Sequence, residues 1–415
     1  MKLDSGAQRL RAFWDALTII IFLGLIFLPA ADTLLKLDHT PAPQENRMPA
    51  RWPTFAGFAH SREFINGVEK YYDDHFGFRK RLVRLNQHWK AQLFHGPANT
   101  GSVMIGRDGW LFFSSPQAIA ECARQETFNE QQLEDWRRLL EMRRDWLRAR
   151  GAKYLFVVAP DKHSVYPEYL PSWLEVGAGP SKVQQVVNYM RTRSSVEVLD
   201  LTQTLVEAKK TRVTYLKTDT HWNTFGGFVG YRAVVEALAR QMPGLRPLPL
   251  DALDWKPEAF RKPGDLTIMM GAADSQPETQ SLLPVVLTHL DTLRDVYDPV
   301  RLPQHGQKET WPFFTLNTNA CGKAIVVRDS FAGSWYPFLG QHFREVIYLW
   351  DYENDRAHYE WNRPLIAREK PDVLIDEMLE RFFCTEDPVA LARKDQMSET
   401  NAVATFVPPG SGTPR

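Results

Sequence analysis

From Tyr154 onward, short runs of apolar, mostly β-branched residues alternate with stretches of helical periodicity. The runs are Tyr154 to Ala159, Val196 to Leu199, Ala324 to Val327, Val346 to Leu349 and Val373 to Ile375, with helical stretches such as Lys182 to Arg191 and Phe225 to Met242 between most of them. Strands covered on both faces read as unbroken apolar runs, and parallel neighbours need a crossover connection. The expectation is therefore an α/β fold: a parallel sheet of about five strands with helices on both faces. The segment 243–318 breaks the alternation, being rich in proline and without a clear period, and reads as an insertion between two halves of the sheet.

The apolar supply suffices for such a core, because 44% of the 415 residues are hydrophobic and 24% are charged. Fifty basic residues balance fifty acidic ones, so no global field favours nucleic acid. Cys122, Cys321 and Cys384 lack any C-x-x-C spacing, which excludes a zinc knuckle or a thioredoxin-like motif. A Cys321–Cys384 disulfide stays open, since the two flank the strand before Ser330 and the last strand.

No charge interrupts the chain between Asp15 and Asp32, and Lys2, Arg9 and Arg11 precede that block. Basic flank, apolar block and polar exit in this order predict a membrane helix with its N-terminus in the cytoplasm and the rest of the chain on the far side. Counted from Ala16 to Ala31, the span is short for a bilayer, about 24 Å against roughly 30 Å. Pro29-Ala30-Ala31 is a poor cleavage pattern, which favours an uncleaved anchor over a removed signal. The expected layout is an anchor at 1–36, a Pro-rich linker at 37–60, a main domain at 61–390 and a partly disordered tail at 391–415. Before the sheet, Val103 to Phe113 reads as a hairpin around Gly106-Arg-Asp-Gly109, and Asn129 to Arg150 as an amphipathic helix stopped by Gly151.

In open α/β sheets ligands bind beyond the carboxyl ends of the strands. Three such places carry reactive side chains. Arg328-Asp329-Ser330 follows one run and puts a hydroxyl on a strand-to-helix turn, as a nucleophile or simply as a helix cap. Asp219-Thr220-His221 sets a carboxylate two residues from an imidazole, which suits an orienter and its base, although an isolated D-x-H is a weak signal. Asp161, His163 and Ser164 form a competing cluster after the first run. No third ligand stands at metal spacing, and neither a Walker motif nor a G-x-G-x-x-G is present, so neither metal nor cofactor is expected. Trp222, Trp335, Tyr336, Trp350 and Tyr352, with Asn223 and Arg328 beside them, lie in or near the same loops. Singly each aromatic suits a core; as a set they are candidates for a sugar-binding platform.

Four segments occur in one order: Gly106-Arg-Asp-Gly-Trp-Leu-Phe112, Ala159-Pro-Asp-Lys-His-Ser-Val-Tyr-Pro-Glu168, Lys217-Thr-Asp-Thr-His-Trp-Asn223 and Val327-Arg-Asp-Ser-Phe331. Together they resemble the alginate O-acetyltransferase family, with its SGNH-hydrolase-like domain in permuted motif order. The resemblance implies Ser330 as acetyl-accepting nucleophile, His221 as general base and Asp219 as its orienter. It also implies a polysaccharide acceptor outside the cytoplasmic membrane and a polytopic membrane acyltransferase as acetyl donor. Arg328 stands where the wider superfamily has Gly before Asp-Ser, which leaves the oxyanion contacts of this turn open. A deacetylating esterase with the same residues, or a non-catalytic membrane-tethered subunit, are the alternative readings.

Overall fold

A computed structural model describes residues 5–39, 50–55, 57–58, 61–79, 81–82, 85, 103–253, 255–258, 263–270, 281–284, 293–302, 312–350 and 361–405. The chain forms two units, Met1–Gly96 and Pro97–Arg415. In the first, the helix Ser5–Leu35 contains an apolar stretch, Leu10–Leu35, long enough to cross a membrane. Its 26 residues rise about 39 Å, because the helix runs beyond the uncharged block at both ends, through Leu10–Asp15 and through Asp32–Leu35. Asp32 accepts hydrogen bonds from the backbone of Asp38 (2.6 Å) and Phe78 (2.8 Å), fastening the end of this helix to the turn after the helix Ser61–His75. Gly77 sits so close to the Pro29 carbonyl that a Cβ would lie 2.1 Å from it.

In the second unit the predicted hairpin is present: β1 (Val103–Ile105) pairs antiparallel with β2 (Leu111–Phe113). Asp108 and Gly109 turn the chain with φ of 53° and 74°, a region that glycine enters without steric cost. The main sheet is built from β3 (Lys153–Ala159), β4 (Val198–Asp200), β9 (Lys323–Val327), β10 (Glu345–Leu349) and β11 (Val373–Leu379), all parallel, in the order β4-β3-β11-β9-β10. These are the five strands expected. The insertion, however, does not stay outside the sheet. It supplies β5 (Trp255–Glu258) and β6 (Ser281–Pro284) as a separate ladder, while β7 (Arg294–Val296) and β8 (Phe313–Leu316) extend the main sheet antiparallel beyond β10. Strands of three and four residues are too short to show a period, which hid them among the prolines.

Alternate residues of the central strands face opposite layers. Leu155, Val157, Val326 and Ile375 pack with Phe228, Tyr231 and Val235 of the helix Thr224–Gln241. Tyr154, Phe156, Ile325 and Leu374 pack with Trp136, Leu139 and Leu140 of the helix Glu130–Arg148, whose start is fixed by a reciprocal Asn129–Gln132 cap. That second layer buries a charge. Arg143, with no exposed surface, donates to Asp395 Oδ2 (2.8 Å) and Asp376 Oδ2 (3.2 Å), and Tyr154 donates to the same Asp376 oxygen (2.5 Å). Burial is the largest influence on Asp376 and pushes its carboxyl up to about 6. Asp395 lies on the helix Pro388–Thr405, so the segment expected as a tail begins as packed helix, pinned by this ion pair.

All three cysteines are free thiols, so the Cys321–Cys384 disulfide is not formed. Cys321 is exposed and Cys122 buried. Burial pushes the Cys122 thiol up to about 11 and the Cys384 thiol up to about 12.

Removing one partner of a buried charge network strands the others. Arg143→Ala is expected to lower stability by about 3–5 kcal/mol, read as a fall in the denaturant midpoint of the purified chain. An unchanged midpoint would show that Asp376 and Asp395 do not depend on the guanidinium.

Candidate active site

The carboxyl ends of β3, β9 and β11 converge, and the chain departs from each with polar residues. Beyond β9, Asp329 braces the turn: its Oδ1 accepts the Phe331 N–H (2.8 Å), its Oδ2 accepts the Leu379 N–H (3.0 Å), and its own N–H donates to Glu377 Oε2 (2.9 Å). Burial first, then the neighbouring Asp329 charge, pushes the Glu377 carboxyl well above its ordinary range. Ser330 is thus held on a turn tied to the end of β11. The N–H groups on either side of it, those of Asp329 and Phe331, are both engaged within the protein.

The Asp219-Thr220-His221 segment is the tip of a loop closed by a bridge between Tyr215 and Trp222. Lys162 grips it from beneath, donating through Nζ to the carbonyls of Leu216 (2.9 Å), Lys217 (3.1 Å) and Asp219 (2.6 Å). Asp219 Oδ1 accepts both the backbone N–H of His221 (3.0 Å) and its ring Nδ1–H (2.7 Å). Across 109 residues of sequence, His221 Nε2 stands 2.8 Å from Ser330 Oγ. Hydroxyl, imidazole and carboxylate form one hydrogen-bonded chain, with the imidazole half open to solvent on one side and against the Phe331 ring on another (centroids 4.9 Å).

The electrostatics favour charge separation along this chain. Burial opposes an imidazolium, but the hydrogen bond and charge of Asp219, with the charges of Asp265 and Asp329, outweigh it and raise the His221 pKa. Burial likewise opposes the Asp219 carboxylate, yet the bonds and charge of His221 and the Asp265 N–H hold its pKa well below the usual range. Such an arrangement can move a proton from a serine hydroxyl to an imidazole and stabilise the resulting cation.

The other predicted residues are placed differently. Trp222 and Trp335 are buried and stacked on each other, and Trp222 Nε1 donates to Phe331 O (3.1 Å) and Ser334 Oγ (2.7 Å). Asn223 is buried as the cap of the helix Thr224–Gln241, its side chain accepting from the Gly226 N–H (2.9 Å). Arg328 is also buried, with Nη1 on the Asp329 carbonyl (2.9 Å) and its guanidinium over Trp350 (4.9 Å). These four build the site from behind and do not form a solvent-facing platform, because the loops they brace leave no other filling for their interior. Tyr336 is exposed and Trp350 half-buried, and Tyr352 lies outside the described residues.

In the competing cluster, Ser164 Oγ donates to Glu380 Oε1 (2.8 Å), and His163 is buried and kept neutral by that burial. Burial and the charge of Asp161 push Glu380 up to about 8. Asp161, His163 and Glu380 bring potential ligand atoms within 4.8 Å of one another, as do Asp219, His221 and Asp265. In the first group Arg381 pairs with Asp161 and both Glu380 oxygens accept protein hydrogen bonds; in the second both ring nitrogens of His221 are engaged.

Sequence reasoning missed Lys162 and Asp265. Asp265, at the start of the short helix Asp265–Met269, donates its N–H to Asp219 Oδ2 (2.9 Å). The only sequence signal was Pro263-Gly264-Asp265, a common turn pattern inside the insertion.

With this geometry in place, comparison shows a likeness: residues 103–305, just under half of the chain, match the family described as the SGNH hydrolase-like domain of the acetyltransferase AlgX. The resemblance to alginate O-acetyltransferases is borne out. The match includes Asp219, His221 and Asp265 and ends before Ser330. Over 246 residues the chain is 26% identical to a probable alginate O-acetylase AlgJ of Pseudomonas syringae pv. tomato, covering 59% of this chain and 55% of that protein. Over 165 residues it is 31% identical to a probable alginate O-acetylase AlgJ of Pseudomonas aeruginosa, covering 40% and 39%. The matched stretches thus span about half or less of these curated relatives' length. Among solved structures, the O-acetyltransferase domain of Pseudomonas putida AlgJ is 20% identical with a TM-score of 0.39, over 71% of this chain and 99% of that domain.

Gly264 packs so tightly that a Cβ there would lie 2.2 Å from the Thr218 carbonyl. Gly264→Ala should push the Asp219 loop out of register and slow labelling of Ser330 by a serine-directed sulfonyl fluoride roughly tenfold or more. Wild-type labelling by intact mass would show that the loop tolerates the displacement.

Proposed function

We propose that this protein is an O-acetyltransferase that moves an acetyl group through an acyl-serine onto hydroxyls of an exported polysaccharide. The observation that carries this reading is the continuous chain from Asp219 through His221 to Ser330. The family match and the names of the AlgJ relatives supply the reaction class.

His221, neutral and with Nδ1–H directed at Asp219, takes the Ser330 proton through Nε2 as Oγ attacks the carbonyl carbon of an acetyl donor. The tetrahedral adduct collapses when the leaving group departs with the proton from His221. A sugar hydroxyl then gives its proton to the same nitrogen and attacks the acetyl-serine. Collapse returns the proton to Ser330 Oγ and releases the acetylated sugar. Tyr336, exposed in the segment after Ser330, and Trp350, half-buried after β10, offer aromatic surface to an acceptor in this reading.

The apolar helix Leu10–Leu35 would hold the protein at the inner membrane as a single-pass anchor, with the domain in the periplasm. Acetyl-CoA is a cytoplasmic metabolite, so a polytopic membrane acyltransferase would pass the acetyl group across. We assign that partner and the polysaccharide acceptor to this reading, without nucleic acid and without a soluble cofactor.

The test combines an activated acetyl ester with candidate oligosaccharides and the full-length protein. Acetylated sugar and acetyl-Ser330, detected by mass spectrometry, should both vanish in Ser330→Ala while the melting temperature is retained. Acetate release without any acetylated sugar would favour an esterase. Because His221 acts as the neutral base and its pKa is raised, the rate of acyl-serine formation should climb with pH and reach half its plateau above the ordinary imidazole value of 6.5. A half-plateau below that value would remove His221 as the base.

A further inference from the structure

Asp265 comes from the insertion, yet it touches every member of the Asp219-Thr220-His221 tip. Its backbone N–H donates to Asp219 Oδ2 (2.9 Å). Its side chain takes the Thr220 N–H on Oδ1 (2.7 Å) and the Thr220 hydroxyl on Oδ2. Oδ2 also lies 3.7 Å from His221 Nδ1, so the imidazole edge that faces Asp219 meets a second carboxylate. Gly264 allows this approach, since its missing Cβ lets the insertion press onto the Thr218 carbonyl.

We propose that Asp265 is a positioning residue for His221, clamping Thr220 and placing a second negative charge beside Nδ1 so that Nε2 stays directed at Ser330 as the proton acceptor. This inference rests on the reading of Ser330 and His221 as nucleophile and base. A hydrogen-bonded carboxylate at Nδ1 fixes both the tautomer and the ring orientation. Asp219 does this directly. Asp265 keeps Asp219 and His221 from turning away, through its N–H to the first and its grip on the residue between them.

Among the described residues, the charged groups around the imidazole are Asp219 on its own loop, Asp265 on the insertion and Asp329 on the nucleophile turn, with Lys162 beneath the loop carbonyls. Three negative charges favour imidazolium. Asp265 is itself buried, and burial followed by the Asp219 charge raises its pKa, while the Thr220 bonds favour its ionised form. Asparagine at this position keeps the shape and the Thr220 N–H acceptor and removes the charge.

The experiment follows labelling of Ser330 in the full-length, detergent-solubilised protein by a sulfonyl fluoride, as a function of pH. Oγ displaces fluoride, the sulfur–oxygen bond forms and the serine proton passes to His221, so the reagent reports the base without needing donor or acceptor. Asp265→Asn should move the midpoint of the rate profile down by about half a pH unit or more and lower the plateau about tenfold. Thr220→Val keeps the Asp265 charge and removes the hydroxyl's contacts to Asp265 Oδ2 and His221 Nδ1; it should move the midpoint much less than Asp265→Asn and slow labelling less than about threefold. A folded Asp265→Asn protein with the wild-type midpoint overturns the proposal, as does Thr220→Val shifting the midpoint equally. If Asp265→Asn does not fold, Asp265→Glu takes its place, its longer arm moving the carboxylate off Nδ1, and an unshifted midpoint there overturns the proposal. Absence of wild-type labelling at Ser330 instead overturns the nucleophile reading on which the proposal rests.

Discussion

A carboxylate taken out of water stays charged only if donors surround it, and the Asp219 carboxylate sets this condition for the whole site. Its donors come from its own loop and from the insertion: the His221 N–H and Nδ1–H on one oxygen, the Asp265 N–H on the other. A third element, the segment after β3, enters through Lys162, whose ammonium gathers the carbonyls of Leu216, Lys217 and Asp219 and so holds the loop that carries the carboxylate. Remove any of these and the charge has to be neutralised or the loop has to open. The fold around the site is a means of assembling those donors from parts of the chain that are distant in sequence.

The Ser330 turn obeys the same logic with a different outcome. Asp329 spends both oxygens on backbone N–H groups and so makes the turn rigid, and a protonated Glu377 behind it avoids placing a second charge in the same interior. The cost is that the Phe331 N–H, the one following the serine, is already taken. On the opposite layer of the sheet, Arg143, Asp376 and Asp395 form a third buried charge group that fastens the helix Pro388–Thr405 to the helix Glu130–Arg148.

The sheet was legible in the sequence because doubly covered strands must be apolar along their length, as Leu155 to Ala159 and Ala324 to Val327 are. Ser330 was legible as a candidate because it follows such a strand, although a helix cap reads the same way, whereas the Asp219/His221 pair, in a loop between two helices, rested on its spacing and on the four-motif resemblance. The aromatic residues misled at Trp222 and Trp335, since an indole that fills a core and one that faces a sugar look alike in sequence. β7 and β8 escaped notice because three or four residues carry no periodicity, and Asp265 because its role arises only when the insertion folds back. What remained hidden was hidden for one reason: long-range contacts made by irregular segments leave no local pattern.

The cysteines carry a practical consequence. Two thiols, Cys122 and Cys384, are held protonated by their surroundings, whereas Cys321 is open to solvent just before β9, the strand that leads into Ser330. A maleimide fluorophore at neutral pH would therefore mark one position without any cysteine having to be engineered in or out. The molecule comes with its own attachment point for an optical probe, two residues before the strand that leads to Ser330.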